Sequence, residues 1–246
     1  MSHGPSRAHR RRADRRAHRR AHRRAALALV LPLVLGLGAC GMGAPRSAPP
    51  SGVDGLVVPT PSIEPADYVT VVDNPWLPLA VGSRWRYAAS DGAAVEVTVS
   101  GTRPVAGVEA TVVDTVERGP GGRVVERSSA WYAQDREGNV WHVGDDGVWE
   151  AGEGGAQAGL AMPATPRVGD GFVEERAPGV AEGQSRVLAV DARRTTSYDA
   201  FDGLVLVERS SPLEPGRTTE AFYARDVGLV LVEGARDLEL VDLSRG

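Results

Sequence analysis

After residue 68 the chain consists of short stretches in which apolar and polar residues alternate, separated by clusters of glycine, aspartate and proline. Alternation with a period of two places apolar side chains on one face of a β-strand, and helical periodicity is nearly absent here. The spacing predicts an all-β, mainly antiparallel domain over residues 68–246, folded as a curved sheet, a half-barrel or a sandwich. The predicted strands are 83–89, 93–100, 106–118, 122–134, 139–143, 171–177, 185–191, 203–210, 217–224, 228–233 and 237–243.

Two of these strands carry tryptophans and are separated by a short turn. A three-residue turn at 136–138 would pair Tyr132 with His142, Ala133 with Trp141 and Trp131 with Val143 across an antiparallel hairpin. The two indoles then share one face of the sheet. That face either belongs to the core or lines a groove in which Trp131 and Trp141 contact a ligand.

The pattern before residue 68 is of a different kind. Residues 1–24 contain ten arginines, and an apolar run over 25–35 follows them. This run is too short to span a membrane and is typical of an export signal. Leu37-Gly38-Ala39-Cys40 resembles the bacterial lipobox, so we predict a lipoprotein signal peptide over residues 1–39 and lipidation of Cys40.

Lipidation of Cys40 would hold the protein on the extracytoplasmic face of the cell membrane, with acyl chains as its anchor. Proline and glycine without apolar periodicity predict a disordered tether over residues 40–67. An ordinary secretory peptide, cut near Ala39, is the alternative. Export in the unfolded state and export by a twin-arginine route both stay open.

Cleavage before Cys40 would change the charge of the chain. Ten of the 28 basic residues and one of the 32 acidic residues precede Cys40, which leaves 18 basic and 31 acidic residues and a net charge of −13. A chain this acidic is not expected to bind nucleic acid. Cys40 is also the only cysteine, so no disulfide is expected within the domain.

Four of the five histidines lie in residues 1–39, and His142 alone follows them. One imidazole without a free thiol excludes a zinc site made from histidine and cysteine. A serine triad would need His142 as its base, and the Gly-x-Ser-x-Gly motif is missing. We therefore predict no metal and no cofactor, and we expect His142 to be a half-buried strand residue.

Carboxylate chemistry is less easily excluded, because acidic residues distant in sequence can meet in space. A glycosidase needs two carboxyl groups on either side of the bond it cleaves. The candidates here are Asp145, Asp146, Glu150, Glu153, Glu174, Glu175 and Asp199.

The start of the domain reads Asp73-Asn-Pro-Trp-Leu-Pro-Leu-Ala-Val-Gly-Ser-Arg-Trp-Arg-Tyr87. Its pattern, Asn-Pro-aromatic-x-Pro-Leu-x-x-Gly-x-x-Trp-x-Tyr, resembles the opening of a family of uncharacterised bacterial secreted proteins and lipoproteins. The resemblance continues to about residue 235, through the segment Trp131–Trp141. It implies a β-rich envelope domain, with a sheet similar to that of lipoprotein carriers, and it implies no catalytic residue.

Three hypotheses for function follow. The first is a non-catalytic, membrane-anchored β domain that binds a hydrophobic ligand or an envelope protein. The second is an envelope glycan hydrolase that uses paired carboxylates, and the third is a structural or assembly protein of the envelope. The signal, the tether and the missing catalytic motifs favour the first.

Overall fold

The computed structural model describes residues 63–246, so the predicted signal peptide, Cys40 and most of the predicted tether lie outside the described range. The elements are a 3-10 helix at Pro65–Asp67 and strands β1 Tyr68–Val69, β2 Arg84–Ala89, β3 Ala94–Val105, β4 Val108–Arg118, β5 Val124–Asp135, β6 Val140–Asp145, β7 Trp149–Glu150, β8 Gly159–Met162, β9 Gly171–Val173, β10 Gln184–Thr195, β11 Ala200–Ser210, β12 Thr218–Ala224, β13 Gly228–Glu233 and β14 Leu238–Ser244.

All fourteen strands belong to one antiparallel sheet. Its order is β7-β6-β5-β4-β3-β2-β14-β13-β12-β11-β10-β9, while β1 pairs with β5 and β8 pairs with β6. Most neighbours in the sheet are also neighbours in sequence, because short turns join them. The prediction of an all-β antiparallel domain is confirmed, and of its three predicted forms the open curved sheet is the one observed.

The alternating sequence pattern sets which side chains point inward. In β2, exposed and buried residues alternate strictly, so Trp85 and Tyr87 share the buried face. Each of the eleven predicted strands overlaps an observed one. The strands that the pattern did not predict, β1, β7 and β8, have two to four residues, and β8 is buried throughout and shows no alternation.

The predicted register of the tryptophan hairpin is correct at two pairs. Tyr132 lies opposite His142 and Ala133 lies opposite Trp141, but Trp131 lies opposite Gly144 instead of Val143. A bulge in the ladder causes the difference. A Cβ at position 144 would lie 2.7 Å from Cε3 of Trp131, so glycine there allows the indole to rest against the strand.

The curvature of the sheet brings its two ends together. The amide of Gln157, just before β8, donates to the carbonyl of Arg176, just after β9, at 2.9 Å. Gly159 of β8 lies so close to the Glu174 carbonyl that an added Cβ would overlap it. The sheet therefore wraps around an interior that its inward side chains share.

Candidate functional site

The curved sheet encloses a cavity of about 360 Å³. Aliphatic side chains of β3, β4 and β13 line it together with aromatic side chains of β2, β5 and β12. This volume lies in the lower part of the range of small-molecule sites, about 300–1,000 Å³, and such sites are mostly apolar with a few polar groups. The aromatic side chains that line it are Trp85, Tyr87, Tyr132 and Tyr223.

One end of the cavity is covered by the segment at the start of the domain, where Leu77, Pro78 and Leu79 line the wall. The buried Asn74 fixes this segment. Its Oδ1 accepts hydrogen bonds from the amides of Trp76 and Leu77 at 2.8 and 3.2 Å. Its side-chain amide donates to the carbonyl of Gly138, in the β5–β6 turn, at 2.8 Å and to the carbonyl of Pro163, just after β8, at 3.2 Å.

Gln134 of β5 also binds the opening segment, through hydrogen bonds to Asp73 and Asn74. Its Oε1 accepts the amides of Asp73 and Asn74 at 2.9 and 2.8 Å, and its amide nitrogen donates to the Asp73 carboxylate at 2.6 Å. Buried polar groups are costly unless they are bonded in this way. The opening segment is thus held in one position, where its leucines face the cavity.

The aromatic wall is also fixed by hydrogen bonds. Trp85 Nε1 donates to the Val227 carbonyl at 2.7 Å, and the Tyr87 hydroxyl donates to the Leu229 carbonyl at 3.0 Å. Burial raises the pKa of the Tyr87 hydroxyl far above its ordinary value, so it stays neutral. With their polar atoms paired to the backbone, both rings offer apolar surface to the cavity.

The other end of the cavity is polar. Glu174 and Glu175 follow β9 directly, and both line the cavity with Arg209 of β11. Consecutive residues on a regular strand point to opposite faces. Here the strand has ended at Val173, and the amides of both glutamates donate to the Gly183 carbonyl, at 2.8 and 3.3 Å.

Arg209 and Glu174 form an ion pair at this end, with 3.2 Å between Nε and Oε1. The guanidinium also donates to the Tyr223 hydroxyl and lies 5.6 Å from the centre of its ring. Burial disfavours the charge of Arg209, but the Glu174 carboxylate and the neighbouring phenols outweigh burial and raise its pKa. Arg209 is therefore a permanent cation with its counter-charge in place.

His142 adjoins this pair from β6. Its ring stacks on Tyr132, with 4.9 Å between centroids, and meets the edge of Trp149 at 5.0 Å. At 6% exposed it is buried, instead of half-buried as predicted, because these two rings cover it. Nε2 lies 3.1 Å from Asp145 Oδ1, and Nδ1 lies 3.9 Å from Glu175 Oε1.

The pKa values of the two carboxylates beside His142 are shifted in opposite directions. Burial opposes the charge of Asp145, but hydrogen bonds from His142 and from Trp149 Nε1, the latter at 2.6 Å, lower its pKa. For Glu175, burial raises the pKa; the attraction of His142 acts against this, while Glu174 and Asp145 repel the charge. Glu175 is the carboxylate with the least compensated charge at the polar end.

His142, Asp145 and Glu175 each offer a ligand atom, and these atoms lie within 4.8 Å of one another. They are the residues through which this part of the chain could hold a metal ion. The two carboxylates, however, approach different nitrogens of the imidazole.

A second, polar groove of about 570 Å³ lies on the outer side of the same charged group. Glu174, Glu175 and Arg209 line both spaces. The β11–β12 turn with Arg217 and the β13–β14 turn with Arg236 line the groove as well. The β11–β12 turn and the β12–β13 turn lie at opposite ends of β12, and the segment before Leu77 adjoins the second of them, where the Asp226 amide donates to the Pro75 carbonyl at 2.6 Å. The groove is therefore at the end of the sheet opposite Leu77–Leu79.

The tryptophans that the sequence suggested as ligand contacts lie elsewhere. Trp131 and Trp141 are 4% and 3% exposed, and neither lines the cavity. The Arg103 guanidinium covers the Trp131 ring at 3.7 Å, and Trp141 Nε1 donates to Asp135 at 2.7 Å. The structure places both indoles in the core, and Trp85 is the tryptophan that faces the cavity.

The candidate carboxylates for glycan hydrolysis come together only in part. Glu174 and Glu175 meet at the cavity with Asp145 nearby, but Glu150 pairs with Arg103, 3.2 Å away, and neither Glu150 nor Asp199 lines the cavity. The imidazole of His142 lies between Asp145 and Glu175, where a hydrolase would hold the sugar. The geometry does not support carboxylate catalysis here.

No protein-family model and no curated protein sequence matches this chain. Two solved structures are similar in fold. One is a protein of Parabacteroides distasonis named as a lipoprotein, with 14% identity and a TM-score of 0.40 over 69% of this chain and 98% of that one. The other is a protein of Bacteroides fragilis named as an exported protein with a YmcC-like fold, with 10% identity and a TM-score of 0.43 over 69% and 99%.

Within residues 63–246, no helix has the length and apolar character needed to cross a membrane.

Proposed function

We propose that this protein is a lipid-anchored envelope protein that binds a small hydrophobic ligand inside its curved sheet and catalyses no reaction. The cavity carries this proposal. Its walls are apolar and aromatic, its volume suits a small ligand, and charged groups are confined to one end. The proposal includes the cleaved signal over residues 1–39, the lipid on Cys40 and membership of the secreted and lipoprotein family that the opening segment resembles.

The arrangement determines how a ligand would lie. The apolar part would rest between Leu77–Leu79 and the aromatic wall, where it replaces water at apolar surface. A polar group would stay near Glu174, Glu175 and Arg209, which also border the outer groove. A molecule with one polar end and one apolar end fits these two ends of the cavity.

Quenching of Trp85 fluorescence by a brominated straight-chain alcohol tests the proposal, because bromine quenches an indole that it contacts. The full chain, extracted from its host membrane in mild detergent, is titrated with the brominated alcohol. We expect saturable quenching that disappears in Trp85→Phe. Quenching that rises without saturation, or that is unchanged in Trp85→Phe, would contradict a ligand in the cavity.

A pair of variants controls for effects on folding. Val113→Phe adds bulk inside the cavity, whereas Val125→Phe makes the same change at a position that is 57% exposed. We expect only Val113→Phe to abolish saturable quenching, while both variants keep the β-sheet circular dichroism of the parent. Ala130→Leu, also in the cavity wall, serves if Val113→Phe does not fold.

A further inference from the structure

The charged groups at the polar end of the cavity do not balance. Glu174 and Glu175 line this end with one permanent cation, Arg209, and with the imidazole of His142, whose Nε2 contacts Asp145 outside the cavity lining. With the carboxylates ionised, Arg209 balances Glu174, and the imidazole, which lies between Asp145 and Glu175, can balance at most one of those two. Charge of one sign inside a low-dielectric site favours a partner of the other sign.

Arg209 already has a counter-charge. Its guanidinium donates from Nε to the Glu174 carboxylate and from Nη2 to the Tyr223 hydroxyl. An anionic group that approached the remaining N–H donors would lie near the Glu174 and Glu175 carboxylates, which repel it.

Glu175 is the group left without a full counter-charge. In the described part of the chain, the only basic side chain with a nitrogen within 4 Å of its carboxylate is His142, at 3.9 Å. That distance is longer than a hydrogen bond. Asp145 offers a carboxylate oxygen within 4.8 Å of the Glu175 oxygen, so a like charge lies close to it.

We propose that the ligand of the cavity is an amphiphile whose polar end is a protonated amine that binds the Glu175 carboxylate. This inference rests on the proposed function and specifies its ligand class. The ammonium would supply the missing positive charge, beside a wall that also contains the rings of Tyr132 and Tyr223. A cavity of about 360 Å³ suits a single-chain amine.

Native mass spectrometry of the full chain tests this inference with three probes of equal chain length: decylamine, decanol and decanoate. The protein is titrated at neutral pH, and the adducts are counted by mass. We expect decylamine to bind at least about tenfold more tightly than decanoate, with decanol between them. Tighter binding of decanoate would overturn the amine assignment.

Glu175→Gln removes the charge and keeps the shape of the side chain. We expect it to lower decylamine affinity about tenfold and to leave decanol affinity unchanged. Glu137→Gln makes the same change at an exposed turn residue that does not line the cavity, and it should alter neither. Equal decylamine affinity in the parent and in Glu175→Gln would also overturn the assignment.

The results separate this inference from the proposed function. If decanol binds and Val113→Phe abolishes its binding, the cavity is a ligand site whichever charged probe is preferred. If none of the three probes binds to the parent, both the cavity function and the amine assignment are wrong.

Discussion

Arg209 and Glu174 form an ion pair, with 3.2 Å between Nε and Oε1, at the boundary between the apolar cavity and the polar groove. The two residues come from the strand β11 and from the segment after β9, which are not adjacent in the sheet. The pair thus connects the last strands of the sheet at the polar end of the cavity. It holds the carboxylates at the place where a polar end of a ligand would lie.

Removing one partner of this pair should cost more stability than removing both. We expect Arg209→Met to lower the free energy of unfolding by about 2 kcal/mol, because Glu174 would keep a partly buried charge without a partner. The double variant Arg209→Met, Glu174→Met should recover much of this loss. Urea unfolding of the parent, both single variants and the double variant gives the coupling energy.

The control for this cycle is an exposed pair. Arg193 and Asp202 are in contact at 2.7 Å, but their side chains are 81% and 82% exposed, so their coupling should stay below about 1 kcal/mol. If the coupling energy of Arg209 and Glu174 is no larger than that of the exposed pair, the structure of the polar end of the cavity does not depend on their interaction.

Gly159 determines how closely the two ends of the sheet approach. An added Cβ would overlap the Glu174 carbonyl, so Gly159→Ala should separate β8 from the segment that carries Glu174 and Glu175. We expect a loss of about 2 kcal/mol or more in urea unfolding. Gly101→Ala is the matched control, since a Cβ there meets no atom within 4 Å. Equal stability of the two variants would be inconsistent with the close approach at Gly159.

Most strands were predictable because stretches rich in alternating apolar and polar residues end in turns of glycine, aspartate or proline. The pairing of Tyr132 with His142 followed from the length of one turn. The bulge at Trp131 could not be predicted, since it depends on an indole that lies against Gly144. The short strand β8 could not be predicted either, because a segment buried on both faces shows no period of two.

Neutralising Glu175 and neutralising Asp145 should shift the melting temperature at pH 7 in opposite directions. Burial raises the pKa of Glu175 above its ordinary value of 4.5, so the folded state favours the neutral carboxyl. The stability that this neutral form contributes is fully present below pH 4.5 and is lost as pH rises through the pKa of the folded state. Glu175→Gln should therefore raise the melting temperature at pH 7 by about 1–3 °C. Below pH 4.5 the variant and the parent should melt together.

Asp145 is the internal comparison. Hydrogen bonds lower its pKa despite burial, so its contribution is present above its ordinary value of 3.8 and is lost as pH falls through the folded value. Asp145→Asn should lower the melting temperature at pH 7. Thermal unfolding of both variants from pH 3 to 8 checks the two signs, and shifts of the same sign at pH 7 would contradict the assigned environments.

The lipid anchor is predicted from sequence alone and lies outside the described residues. In the bacterial host, Cys40→Ala should abolish incorporation of labelled palmitate and release the protein from the membrane fraction. The variant should keep the melting temperature of the folded domain, because Cys40 precedes it. Continued labelling or continued membrane association would contradict lipidation of Cys40.

The site was harder to predict than the fold. The single histidine after residue 39 made metal and triad chemistry improbable, but its position between Asp145 and Glu175 depends on the curvature that brings β6 close to the segment after β9. Glu174 and Glu175 were visible only as two of several acidic residues. The hairpin pattern pointed to Trp131 and Trp141 as ligand contacts, whereas the tryptophan that lines the cavity is Trp85, together with tyrosines from β2, β5 and β12.

The central claim is that the curved sheet carries a ligand in its cavity, and the most direct test is the mass of the protein as it is purified from its native host. Native mass spectrometry of the full chain, extracted in mild detergent, should show a bound small molecule on the parent and on Val125→Phe, and none on Val113→Phe. An identical non-covalent mass excess on all three proteins, counted beyond any covalent lipid on Cys40, or its absence from a folded parent, would contradict the claim.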